Sequence, residues 1–229
     1  SLLANVADPL ITLVAFGYGL GRLMPSIDGA DYIVFLAAGS ACMSTAMAAS
    51  FESLYSAFSR MHVQKTWEAL LNAPLDLEDI LIAEWLWAAA KSTLSGLSIL
   101  AVIVALDISR EPTLLLVVPV VMLTGLVFSA LGLCFNALAR GYDFFAYYFT
   151  LVLSPMVFLS GVYYPVSGLP EWLQPVAAVL PMAAAVELAR PLVLGQLPSS
   201  PWPALLLLGA MAIGAFMFAL ALTRRRFRS

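Results

Sequence analysis

The stretch TLLLVVPVVMLTGLVFSALGLCFNAL, Thr113 to Leu138, carries no charged side chain, and its reading decides the fold. A hydrocarbon core about 30 Å thick is crossed by roughly 20 apolar helical residues, and this run is longer than that. Runs of the same kind lie on both sides of it: Leu2 to Leu23, Tyr32 to Phe58, Trp85 to Leu106, Phe144 to Tyr164, and Trp202 to Thr223. The composition agrees, with 62% of residues hydrophobic and 11% charged. A water-soluble domain has about 25% charged residues, and disorder needs low hydrophobicity with high charge. The sequence therefore predicts an all-α polytopic membrane protein, one transmembrane domain over residues 1–229 with six spans.

The second span contains AAGSACMSTAMAAS, residues 37–50. So small and semi-polar a helix suits the inside of a bundle, where small residues let backbones approach. Residues 166–195 are apolar enough for a seventh span, but Pro175, Pro181 and Pro191 cut them into short pieces. Each proline removes a backbone donor and disfavours helix in the residue before it. The expectation is a re-entrant helical hairpin between spans five and six, marked by Pro165, Leu169, Pro170, Trp172 and Pro181.

Charge placement supports this count. With six spans, Arg60, Lys65, Arg140, Arg224, Arg225, Arg226 and Arg228 fall on one side, and Arg22, Arg110 and Arg190 on the other. The positive-inside rule then predicts that both termini are cytoplasmic, with a basic tail at 224–229. The chain starts at Ser1, and no basic n-region with a cleavage site precedes the first span, so no signal peptide is expected.

Several chemistries are disfavoured. A net charge of −3 gives no basic field for nucleic acid. His62 is the one histidine, and Cys42 and Cys134 sit in apolar runs, so neither a metal site nor a disulfide is expected. The glycines of GYGLG, Gly17 to Gly21, read as a helix-packing surface, since no strand precedes them. No phosphate-cradling GxxxxGK[ST] occurs, so any ATP that powers this protein binds a partner. The chain is expected to be no enzyme and to hold no cofactor or metal.

Between spans two and three lies SRMHVQKTWEALLNAPLDLED, residues 59–79. Trp67, Leu70 and Leu71 share one helical face, and Gln64, Lys65 and Glu68 another. Two readings stay open: an interfacial helix anchored by Trp67, or a docking helix on which a cytoplasmic partner acts. Ionisable groups near or within the spans are Asp8, Glu52, Glu84, Lys91 and Asp143. A charge at mid-bilayer costs at least about 2.5–3.5 kcal/mol, so such groups face partners or cavities. Lys91 is expected to snorkel or to pair with Glu52, while Trp85 and Trp87 read as an interfacial belt that leaves Glu84 shallow. So sparse a set disfavours a proton-coupled carrier. The aromatic run FFAYYF, Phe144 to Phe149, is a candidate surface on which a sugar or acyl chain slides. The candidate path residues are Phe145, Tyr147, Tyr148, Phe149, Tyr163 and Tyr164.

The strings AAGSACMSTAMAASFESLYSAFSRMHVQKTWEALL and DLEDILIAEWLWAAAKSTLSG resemble the permease subunit of ABC type-2 exporters. So does RGYDFFAYYFTLVLSPMVFLSGVYYPVSGLPEWLQPVAAVLP, closed by ELARPLVLG. The resemblance runs from Asp8-Pro9-Leu10 to the arginine tail. It implies a homodimer with two copies of a cytoplasmic ABC ATPase subunit, which carries the ATP and Mg. It implies a coupling loop over about 59–80, with Arg60, Gln64, Lys65, Thr66, Trp67, Glu68 and Leu71 meeting the ATPase. It implies a bacterial inner-membrane location and export of an amphipathic cargo, a lipid-linked saccharide or lipo-oligosaccharide; a drug exporter shares the architecture, and a non-transporting scaffold is a third reading. Such permeases usually carry an amphipathic helix before span one, which this sequence lacks. They often have a polar residue or histidine after Leu-Pro, where this chain has Pro181-Met182-Ala183-Ala184.

Overall fold

In a bilayer every backbone polar group must be satisfied within its own segment, so apolar runs fold as helices. The computed structural model describes residues 2–19, 21, 23, 26–27 and 29–228, with the backbone alone at residues 2–6, 8, 9 and 228. It has ten α-helices among the described residues. The expectations resting on the side chains of Asp8, Pro9, Arg22 and Arg228 lie outside what is described. The helices are α1 (Leu2–Gly19), α2 (Tyr32–Phe51), α3 (Thr66–Leu71), α4 (Leu77–Ala105), α5 (Val117–Leu138), α6 (Phe144–Tyr147), α7 (Ser154–Leu159), α8 (Gln174–Ala178), α9 (Pro181–Val193) and α10 (Pro201–Arg228). A two-residue ladder pairing Ser26–Ile27 with Ala30–Asp31 joins α1 to α2, a small departure from an all-α chain.

Four helical stretches are long and apolar enough to cross a membrane: Tyr32–Val63, Leu77–Ala105, Pro112–Leu138 and Pro201–Phe227. The other two expected spans are shorter. Apolar helix covers Leu10–Gly19 in the first and Phe144–Leu159 in the fifth. The fifth contains a wide π-helical turn, Tyr148–Leu153, between α6 and α7.

The second helix is the centre of the bundle. Within its apolar window 83% is buried, against 28% for the last helix, and α2 touches α1, α4, α5 and α9. Its small residues explain the position. A Cβ on Gly39 would lie 2.9 Å from the Val162 carbonyl oxygen. Across α4 and α5, Gly96 faces Thr45, Gly125 faces Ser92 and Gly132 faces Ser53 with no room for a side chain. Lipid supplies no hydrophobic drive between helices, so such close backbone packing carries the association. On α1, Gly17 meets Ile33 as the packing reading requires, but beyond it a Cβ on Gly21 would meet nothing within 4 Å among the described residues.

Residues 166–195 differ from a two-legged helical hairpin. The first leg is a 3₁₀ turn, Val166–Gly168, and the five-residue α8. Trp172 and Pro170 on that leg are exposed, and Pro165 and Leu169 are half-buried. The second leg, α9, starts at Pro181 and packs against α2, α5 and α10. The side chains of Pro181, Met182, Ala183 and Ala184 are all buried there. Helix α9 ends in a Schellman turn: Gly195 is left-handed (φ 78°), and Gln196 N donates to Pro191 O at 2.8 Å. The Ser109 and Thr113 hydroxyls donate to Val193 O and Leu192 O at 2.7 and 2.6 Å, satisfying its last carbonyls.

Candidate functional site: a charge network beneath a short helix

The second helix does not stop where its apolar run ends. It continues through wide turns, Glu52–Ser56 and Ser59–Val63, to Gln64, whose N–H donates to Ser59 O five residues back at 2.8 Å. Arg60 thus belongs to the end of the second span and not to a loop, which corrects the sequence reading. Lys65 is left-handed (φ 54°) and breaks the direction. Helix α3 follows, and Asn72 to Asp76 lead into α4, where Asp79 Oδ2 accepts from Asp76 N at 3.0 Å.

Four charges meet where α3 returns to the bundle. Glu84 on α4 accepts both forks of Arg60, from Nε at 2.7 Å and Nη2 at 2.5 Å. The Trp67 indole of α3 also donates to Glu84, at 3.0 Å. Arg60 Nη2 reaches Glu52 Oε1 at 3.1 Å, and Lys91 Nζ pairs with Glu52 Oε2. Ser56 and Trp87 complete the Glu52 shell at 3.0 and 3.2 Å. Both carboxylates are buried, Glu52 to 3% and Glu84 to 8% exposure. Two anions and two cations close the set electrically, which is the condition for keeping charges at such depth.

Three expectations change here. Trp67 is buried (1% exposed), so it is no lipid-interface anchor. Glu84 lies inside the subunit, because Trp67 and Arg60 cover it. Trp85 is a packing residue, donating to Leu126 O at 2.8 Å and stacked on Phe216 with centroids 4.3 Å apart; Trp87 stays largely exposed. Around Trp67, Gln64, Lys65, Glu68, Ala69 and Leu70 are exposed, with Thr66 and Leu71 half-buried. The spacing Glu52, Ser56, Arg60 is a signal that could have revealed the network, since residues four apart share a helix face.

The aromatics of the fifth span separate into two sets. Phe145 and Tyr148 are fully buried, and the Tyr148 hydroxyl shares a hydrogen bond with Ser50 at 2.9 Å. They join the fifth span to the second and offer no sliding surface, contrary to expectation. Exposed or half-buried rings form a ladder instead: Phe149 to Phe51 at 4.8 Å, Phe51 to Tyr55 at 5.4 Å, and Tyr55 to Tyr142 at 5.9 Å. Tyr147 is 61% exposed. Tyr163 and Tyr164 lie in the turn after α7, away from this ladder, and Tyr163 contacts Phe16 and Met43. Tyr147→Ala should therefore change stability by less than about 0.5 kcal/mol, while Tyr148→Ala should cost about 3–5 kcal/mol. Thermal unfolding in detergent reads both, and equal losses would contradict this division.

Among the described residues no group of His, Cys, Asp or Glu could hold a metal ion. Cys42 and Cys134 are free and buried. Arg60 and Glu84, with Leu70, Ile80, Ala83 and Trp87, also line a cavity of about 320 Å³ beside the network.

Long apolar helices around a small-residue core, with a short helix fixed to two of them by buried charges, define a multi-pass membrane protein. The chain belongs to the ABC-2 type transporter family, which it matches over residues 1–194, and is a transmembrane permease of that family. It is 43% identical to Nodulation protein J of Rhizobium leguminosarum bv. viciae over 226 residues, 99% of this chain and 87% of that protein. Identity to Nodulation protein J of Bradyrhizobium diazoefficiens is also 43%, over 229 residues and 86% of that protein. The inner membrane transport permease YadH of Escherichia coli is 24% identical over 187 residues, 80% of this chain and 73% of that one.

Proposed function

We propose that this permease is the membrane half of an ATP-driven exporter that moves a lipid-linked saccharide or lipo-oligosaccharide outward across the bacterial inner membrane. Two copies work with two cytoplasmic ATPase subunits that bind the ATP and Mg, and this chain is non-catalytic. Both termini are cytoplasmic, and residues 166–195 dip into the membrane from the far side. The observation that carries the reading is the mounting of α3. Its Trp67 is fixed to Glu84 and, through Arg60, to the second span, while Gln64, Lys65, Glu68 and Leu70 face outward. A partner pressing on that face moves the second and third spans together. ATP shifts the transport equilibrium only by binding the two states differently, and α3 is where that difference enters. The ring ladder Phe149, Phe51, Tyr55 and Tyr142 suits an amphipathic cargo, because aromatic faces accept sugars and acyl chains without fixed hydrogen-bond geometry.

The test is reconstitution with the native ATPase partner in vesicles. Glu68→Arg combined with Leu70→Asp alters exposed positions of α3, and an unchanged unfolding midpoint in detergent checks that the fold is kept. Cargo-stimulated ATP hydrolysis should fall by about 5–150-fold, the usual range of a coupling free energy. Unchanged stimulation would reject the coupling role. Mass spectrometry of co-purifying lipids reads the cargo: glycolipids support the saccharide reading, and uncharged hydrophobic molecules alone point to a drug exporter.

A further inference from the structure

The sequence places a basic tail at 224–229, and in the structure the side chains of Arg224 and Arg226 turn back onto the protein. Arg224 pairs with Glu78 in the first turn of α4. Arg226 Nη1 donates to Asn136 O and Ala137 O, both at 3.0 Å. Those are among the last carbonyls of α5, which carry the negative end of its dipole; Asn136 O also accepts from the C-cap Ala139 N at 3.2 Å. The Asn136 amide in turn donates to Ser53 O of the second span at 2.9 Å. Arg226 Nη2 donates to His62 Nε2 at 2.9 Å. One residue on, the Phe227 ring lies nearly parallel to Trp67, with centroids 6.3 Å apart and planes at 19°. Met61, His62, Glu68, Arg226 and Phe227 line one cleft of about 160 Å³ between the tail and α3.

Trp67 is the one fully covered side chain of the six-residue α3. One side of its indole is tied to Glu84 and Phe227 stacks against it, so α3 has two mountings. The first reaches the second and third spans through the charge network, and the second reaches the last span through Phe227 and Arg226. We infer that Arg226 and Phe227 are positioning residues that fix α3 to the last transmembrane helix, so that a push on α3 moves that helix with the rest. This rests on the reading of α3 as the element on which the ATPase acts. A charge held for membrane orientation alone needs neither a guanidinium with one arm on two carbonyls and the other on His62 nor a ring beside Trp67.

Conservative variants separate the two roles. Arg226→Lys keeps the positive charge but loses the planar fork, and Phe227→Leu keeps an apolar side chain but loses the ring. Reconstituted with the native ATPase partner, each should bind that partner normally while the cargo moved per ATP hydrolysed falls about fivefold or more. Hydrogen exchange of the backbone amides of residues 66–71 should rise several-fold in Phe227→Leu. Wild-type transport per ATP together with wild-type exchange in these variants overturns the inference. The Glu68→Arg, Leu70→Asp protein is the internal standard. If it loses coupling while the tail variants keep theirs, the second mounting alone is rejected; if it stays coupled, the role of α3 itself is rejected.

Discussion

Glu84→Gln is expected to destabilise the protein by about 3–5 kcal/mol, the cost of leaving one member of a buried ion pair without its partner. Glu84 accepts three hydrogen bonds, two from Arg60 and one from Trp67. An amide in its place turns a donor toward the Arg60 fork and leaves Glu52 to neutralise both Arg60 and Lys91. The shape of the side chain is unchanged, so packing cannot account for the loss. Asp107→Asn is the matched control. The Asp107–Arg110 pair is short, 2.7 Å, but both side chains are about 70% exposed, and exposed pairs contribute about 0–1 kcal/mol. Asp107 is left-handed (φ 58°), a conformation that asparagine also adopts readily. Thermal unfolding in detergent compares the two, and equal midpoints would refute the buried network as a structural mounting. In vesicles with the ATPase partner, Glu84→Gln should also lose transport, because α3 no longer moves the second and third spans together.

Gly39→Leu is expected to open the other end of the bundle. There the turn after α7 rests on the second helix. A Cβ at position 39 would lie 2.9 Å from Val162 O and 3.0 Å from Val162 Cα. These are backbone atoms, which cannot rotate aside as the end of a side chain can. The same turn is held by Tyr32 Oη donating to Tyr163 O at 3.1 Å and by Arg190 Nη2 donating to Gly161 O at 2.5 Å. The Arg190 guanidinium also lies 3.6 Å from the Phe35 ring centroid, close enough for a cation–π contact. Overpacking typically costs about 1–3 kcal/mol, and here it also strains those bonds, so the turn at residues 160–166 should become open to protease. Gly209→Leu on α10, where a Cβ meets nothing within 4 Å, should be neutral or stabilising, as leucine favours helix over glycine by up to about 1 kcal/mol. If both variants resist protease alike, the close approach at Gly39 is not what holds the turn.

The sequence by itself determined that this protein is a bundle of membrane helices, because bilayer thickness converts directly into a count of consecutive apolar residues. It determined that the second helix is internal, since alanine, glycine and serine at residues 37–50 suit close backbone approach and little else. The motifs that carry the family likeness were also readable in one dimension. Pairing of Lys91 with Glu52 was one of two readings open in the sequence; tertiary structure chose it and added Arg60 and Glu84 to the set. Arg60 and Glu84 are 24 residues apart and Lys91 and Glu52 are 39, and hydropathy along a chain contains no term for such pairings. It moved Trp67 from the lipid interface to the interior, because a buried carboxylate waits there for its N–H. It divided the aromatic run of the fifth span into glue and surface, since Phe145 and Tyr148, three residues apart, share the buried face while Tyr147 points away from it. It also turned the arginine tail inward, onto carbonyls and a tryptophan ring that exist as a site only once α3, α5 and α10 have come together.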